Sequence, residues 1–130
     1  MKKIIIITVA FITVLACSKS KDGDWNDIIK LSQKEVLFSS EQNRIQLLTK
    51  GDSWWINEIS LDGELVNLED IDTTRQSFII EGTDFSVERK NAKEIHISLK
   101  ENKTGIKRIV LIGLQAGNYF EVISVTQLGQ

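Results

Sequence analysis

A chain of 130 residues is the size of one ordinary domain once a leader is set aside, and its 16 basic and 18 acidic side chains leave a net charge of −2. Its basic residues are scattered among acidic ones, so the clustered basic face that phosphate backbones need is missing and nucleic acid is excluded as a partner. One cysteine and one histidine exclude an intrachain disulfide, a His-Cys zinc site and a convincing Cys-His nucleophile pair.

Lys2 and Lys3 form a basic start, and Ile4 to Ala16 follows as an uncharged, mostly apolar run. The run is shorter than the roughly 20 residues of a permanent membrane span. It ends Val14-Leu15-Ala16-Cys17, which resembles the lipobox cleaved by the lipoprotein signal peptidase. The resemblance implies a signal peptide over 1–16 and Cys17 as the lipidated first residue of the mature protein. A thiol is a nucleophile able to accept a diacylglyceryl group, and two or more acyl chains hold a protein stably at a bilayer. A cleaved secretory signal followed by a free cysteine is the plainer alternative. Residues 17–27 then read as anchor and tether: Ser18 to Asp27 is polar and reaches up to about 33 Å if fully extended. Lys19, Asp22 and Asp24 loosely resemble the surface-export signal of Bacteroidetes lipoproteins. An outer-membrane lipoprotein is expected, facing the periplasm or displayed on the cell surface, and attached to the membrane through lipid at Cys17.

From residue 28 to 130 the chain alternates in steps of two, the signature of strands. Ile45 and Leu47, then Phe85, Val87 and Arg89, then Ile95, Ile97 and Leu99 alternate with polar neighbours. Turn signals recur at Lys50-Gly51-Asp52, Asp62-Gly63, Lys90-Asn91, Lys103-Thr104-Gly105 and Gly117-Asn118. The pattern predicts an all-β, immunoglobulin-like antiparallel sandwich of seven to eight strands.

Asp62-Gly63 favours a two-residue type I′ turn, which sets Leu61 opposite Glu64, Ser60 opposite Leu65 and Ile59 opposite Val66. Strict alternation back from that turn puts Trp55, Ile59 and Leu61 on the core face and points Trp54 outward. Ile109 to Ile112 lacks alternation, as expected of a strand buried on both sides. Phe120 and Val122 share one phase and Ile123 and Val125 the other, so a bulge near Val122-Ile123 is expected, with Phe120 in the core.

Phe85-Ser86-Val87-Glu88, Ile95-His96-Ile97-Ser98-Leu99, Asn102, Arg108 and Ile123-Ser124-Val125-Thr126-Gln127 follow one another in order. This series resembles the BACON domain, a Bacteroidetes-associated, often N-terminal module with an immunoglobulin-like fold. Glu35 to Phe38, Ile45 to Leu48 and Trp54-Trp55 fit its early strands, so the resemblance spans roughly residues 30 to 128. It departs at Phe85, where that strand often presents a tryptophan. The resemblance implies a non-catalytic binding or adhesion module, with glycan or mucin as the ligand class. An accessory lipoprotein that contacts another envelope protein through a sheet edge is the alternative.

Trp54 and Tyr119 are the stacking candidates, with Asn57 and Asn118 as polar neighbours. For Trp54, packing beneath a neighbouring loop is the alternative. Arg108 and Gln127 fit structural roles, Gln127 by bonding backbone at the end of the sandwich. The acidic loop Glu69, Asp70 and Asp72 has the oxygen ligands of a calcium site without the glycine-bearing spacing of a dedicated loop, so no metal or cofactor is expected. His96 lacks a nucleophile-elbow partner, and a small closed sandwich offers little room for an enclosed cleft, so the chain is not expected to be an enzyme.

Overall fold

The computed structural model describes residues 26–130; the leader, Cys17 and the tether through Trp25 lie outside the described residues. Nine strands are formed: β1 (Glu35–Phe38), β2 (Asn43–Leu48), β3 (Trp55–Leu61), β4 (Glu64–Leu65), β5 (Phe78–Glu81), β6 (Phe85–Lys90), β7 (Glu94–Leu99), β8 (Arg108–Ala116) and β9 (Tyr119–Gln127). They make a five-stranded sheet in the order β1-β9-β8-β3-β4 and a four-stranded sheet in the order β2-β7-β6-β5. The architecture is the all-β, immunoglobulin-like sandwich that the alternation predicts. The strand count reaches nine because the hairpin strand β4 has only two residues. Neighbouring strands run antiparallel except at the margin of the larger sheet, where β1 joins β9 in parallel.

The inward faces meet in a core that includes Ile56, Ile59, Ile97, Ile112, Leu114 and Ile123. Full burial of each such side chain contributes about 1.5–3 kcal/mol. In β6 and β7 burial alternates residue by residue, because one face of the smaller sheet packs on the core and the other meets water. That outer face is polar: Gln46 pairs with His96 across β2 and β7, and His96 with Glu88 across β7 and β6. Gln46 Nε2 donates to Glu94 Oε1 at 2.9 Å, and His96 Nε2 lies 3.1 Å from the same oxygen. The bonds from His96 and then Asn91 hold the Glu94 carboxyl below its ordinary range.

The Asp62-Gly63 hairpin has the expected register, with Leu61 opposite Glu64 and Ser60 opposite Leu65. Val66 N donates to Ile59 O at 2.8 Å, and both turn residues have positive φ, 50° at Asp62 and 84° at Gly63. Asp62 also accepts the Ile109 N–H on Oδ1 at 2.7 Å, tying the turn to β8.

Three expectations fail in the larger sheet, with linked causes. β9 contains no bulge: it pairs with β8 in unbroken register from Arg108–Gln127 to Ala116–Tyr119. The irregularity falls in β3 instead, between Ile56 and Glu58, where Asn57 is the extra residue opposite β8. Regular β9 keeps Ile123 and Val125 inward, so Phe120 and Val122 point outward, 57% and 50% exposed. β8 is central but covered on one side only; Leu111 is exposed and Ile109 half-buried.

Candidate functional site

The bulge at Asn57 reverses the phase of the first half of β3. Trp54, expected outward, is 2% exposed and belongs to the core, while Trp55 lies on the outer phase, half-buried. Trp54 packs beneath the 49–52 loop: its Nε1 donates to Thr49 Oγ1 at 3.1 Å and Gly51 O at 3.0 Å. Arg89, 1% exposed, places its guanidinium 3.7 Å from the centroid of the indole. The guanidinium donates to the carbonyls of Trp54 and Asp52 at 2.6 Å, Ala92 at 3.0 Å and Arg75 at 3.2 Å. Four carbonyls replace its lost hydration, while burial pulls its pKa below the usual value against the opposing pull of Asp52. These residues form a structural keystone and cannot meet a ligand. The sign of it in the sequence is an arginine on the apolar phase of β6.

Tyr119 also leaves the stacking site. It sits on the inner phase of β9, packed against the core, and its hydroxyl donates to Glu121 Oε2 at 2.5 Å. Lys34 Nζ lies 3.1 Å from the same carboxylate oxygen. The Glu121 bond first, then burial, then the charges of Glu121 and Asp27 hold the phenol well above its ordinary range. Asn118 is exposed in the turn after β8, and Asn57 is exposed on the bulge, with Oδ1 lying where a Cβ on Gly113 would fall. The four expected residues therefore do not converge: Trp54 and Tyr119 face inward, Asn118 lies in a turn, and Asn57 alone lies on an outer sheet face.

That face brings together a different set. Trp55 pairs with Gln115, and Gln115 with Phe120, forming a row across β3, β8 and β9. The next row is Glu58, Gly113 and Val122, followed by Leu65, Ser60, Leu111 and Ser124, and then Ile109, Thr126 and Leu37. The rows place two aromatic residues two strand spacings, about 10 Å, apart, with Gln115 on the strand between them. Gln115 Nε2 donates to Gly117 O at 3.0 Å. Reading β9 as a regular strand would have turned Phe120 outward, but Trp55 joins the row only through the bulge at Asn57.

The opposite end of the sandwich is built around Arg108, Asn102 and Gln127. Gln127 Nε2 donates to the carbonyls of Glu41 at 3.0 Å and Lys100 at 2.9 Å, the backbone role expected for it. Asn102, fully buried, donates to Ile106 O and Leu128 O and accepts from Thr104. Arg108 Nη2 donates to Glu101 O at 2.8 Å, and Nη1 lies 3.5 Å from Asp84 Oδ2. In the acidic loop, Asp72 Oδ1 accepts from the Thr74 amide and hydroxyl, which lower its pKa. Among the described residues no three His, Cys, Asp or Glu side chains gather as a metal site.

No family model and no curated protein matches this chain. Among solved structures it is similar to the NMR structure of a protein from Bacteroides thetaiotaomicron, with a TM-score of 0.67 and 20% identity, covering 88% of this chain and 98% of that one. A Bacteroides ovatus GH5 xyloglucanase in complex with a XXXG heptasaccharide matches at a TM-score of 0.47 and 16% identity, over 78% of this chain and 19% of that one. The titin M3 domain matches at 0.44 and 6% identity, over 78% of this chain and 98% of that one. The first of these likenesses is one of fold.

Proposed function

We propose that this protein is an outer-envelope lipoprotein, lipidated at Cys17, whose BACON-like domain is a non-catalytic binding module for glycan or mucin. The observation that carries the ligand surface is the Trp55–Gln115–Phe120 row. The C–H faces of a sugar suit aromatic rings, and the amides of Gln115 and Asn57 offer donors and acceptors for hydroxyls. A glycan screen with residues 22–130, which contain every core residue, tests the reading. Binding that is lost in Trp55→Ala and Phe120→Ala but kept in Tyr119→Phe supports it; no binding by folded protein removes it. Mass spectrometry of the membrane-extracted protein, with Cys17→Ser alongside, tests the anchor.

A second reading, an accessory lipoprotein that docks an envelope protein, is favoured by the aliphatic side chains Leu37, Leu65 and Leu111 on the same face. A sugar has little use for them. The contact would use this face or the sheet margins, and recovery of a stoichiometric partner from cross-linked membranes would favour it over the glycan reading.

A further inference from the structure

We propose that the outer face of the five-stranded sheet is a self-association surface that takes the same face of a second copy of this chain. Ten large apolar residues are exposed among the described residues, and five of them, Leu37, Leu65, Leu111, Phe120 and Val122, lie on this one face. They are distributed over β1, β4, β8 and β9, with half-buried Trp55 adding β3, so every strand of the sheet contributes apolar surface, interspersed with Ser60, Ser124 and Thr126. Apolar surface gathered on one face in this way marks a contact site. The outer face of the smaller sheet is unlike it, with Gln46, His96, Glu88, Glu94 and Lys90 between two marginal apolar residues, Leu48 and Ile79.

Charge and shape select the occupant. The strand positions of this face carry two charges, Glu35 on β1 and Glu58 on β3, and no lysine or arginine. An acidic partner or an anionic lipid surface therefore finds no cation to meet. The two glutamates stand three strands apart in the order β1-β9-β8-β3, too dispersed to recruit a basic partner. A nearly uncharged sheet face is complementary to another such face, and sheets stack face to face about 10 Å apart with strands roughly aligned. A two-fold contact needs only one patch, repeated on both copies.

Size sets the strength. Four inter-strand spacings and four residue rows give a face about 20 Å on a side, or on the order of 600 Å² with its side-chain margins. A standard stable interface buries about 800 Å² per partner. The contact is therefore weak and concentration-dependent, and it covers the Trp55–Gln115–Phe120 row. A ligand on that row and a second copy on the face exclude each other, so ligand binding dissociates the pair.

Sedimentation equilibrium of residues 22–130, from about 10 μM to about 1 mM, the range of weak association, reads the equilibrium directly. The weight-average mass is expected to rise from one copy and level at two. Leu111→Lys and Val122→Lys each weaken the dimer at least tenfold, whereas Ile79→Lys on the other sheet leaves it unchanged. Phe120→Ser with Val122→Thr repeats the test without added charge, should a lysine variant fail to fold. A chain monomeric throughout, growth past two copies without levelling, or a dimer that survives the folded face variants overturns the proposal. Monomeric protein that binds glycan through Trp55 assigns the face to sugar alone and overturns it while leaving the glycan reading standing.

Discussion

Arg89 lies over the ring of Trp54 at 3.7 Å and donates to the same residue's carbonyl oxygen at 2.6 Å. One side chain thus fixes both ends of the residue just before β3, and its other bonds, to Asp52, Ala92 and Arg75, draw three loops onto β6. A buried cation is normally costly; here carbonyl dipoles and an indole face take the place of water.

Removing that guanidinium leaves several carbonyls buried without donors. Arg89→Leu is expected to destabilise the domain by about 3 kcal/mol or more. Arg89→Lys recovers little, because an ammonium on a flexible stem cannot reproduce the planar fork or its stacking. Urea denaturation measures both variants; a loss under about 1 kcal/mol in either would deny Arg89 its central role.

Gly51 is the second fixed point of the same loop. A Cβ there would stand 2.0 Å from Ile28 O, a backbone atom that cannot swing aside. Gly51 N also donates to Ile29 O at 3.2 Å, and Gly51 O accepts from Trp54 Nε1. Gly51→Ala is expected to cost about 2–4 kcal/mol through the forced backbone shift. Thermal unfolding checks it, and a shift in Tm of only a degree or two would show that the loop yields freely.

Tyr119 is the only tyrosine in the chain, so its titration can be followed by tyrosinate absorbance without overlap. Its folded-state pKa is raised, chiefly by the bond to Glu121. The neutral phenol is thus favoured by folding. The associated stability is fully present below the unfolded value of about 10 and is lost as pH rises from there through the folded value. Glu121→Gln is expected to bring the transition down toward the ordinary range; an unshifted wild-type transition would contradict the contact.

Val122 and Val125 give a direct test of the β9 phase. Val122 is 50% exposed and Val125 fully buried. Val122→Thr is expected to change stability by no more than about 0.5 kcal/mol, and Val125→Thr to cost about 2 kcal/mol by burying a hydroxyl. Equal costs would point to the bulged strand that the residue pattern alone suggests.

The sandwich and the first hairpin are legible in the residues because alternation and Asp62-Gly63 are local signals, and each strand pair repeats them. The site is not, for a single reason of phase. A bulge adds one residue and reverses every side chain beyond it, and its one local sign is Asn57, a polar residue that strict alternation sets on the core face with Trp55 and Ile59. Counting strictly back from the turn therefore exchanges Trp54 and Trp55. The apolar run Ile109 to Ile112 misleads differently: it suggests burial on both faces, whereas one face, with Leu111, meets water. Arg89 shows the converse case, a charge on the apolar phase that marks a buried hub.

Asp27, near the first described residue, bears on the hydroxyl of Tyr119, at the β8–β9 turn, while Gln130 Nε2 bonds Glu101 Oε1 near Arg108. The two termini of the domain therefore leave from opposite poles of strands nine residues long, about 30 Å apart. This gives the domain a compass. The Trp55–Phe120 row lies toward the pole where the chain enters the domain and the Asp62-Gly63 hairpin toward the other. A face-to-face pair whose two-fold axis runs along the strands keeps the entering poles of both copies on the same side.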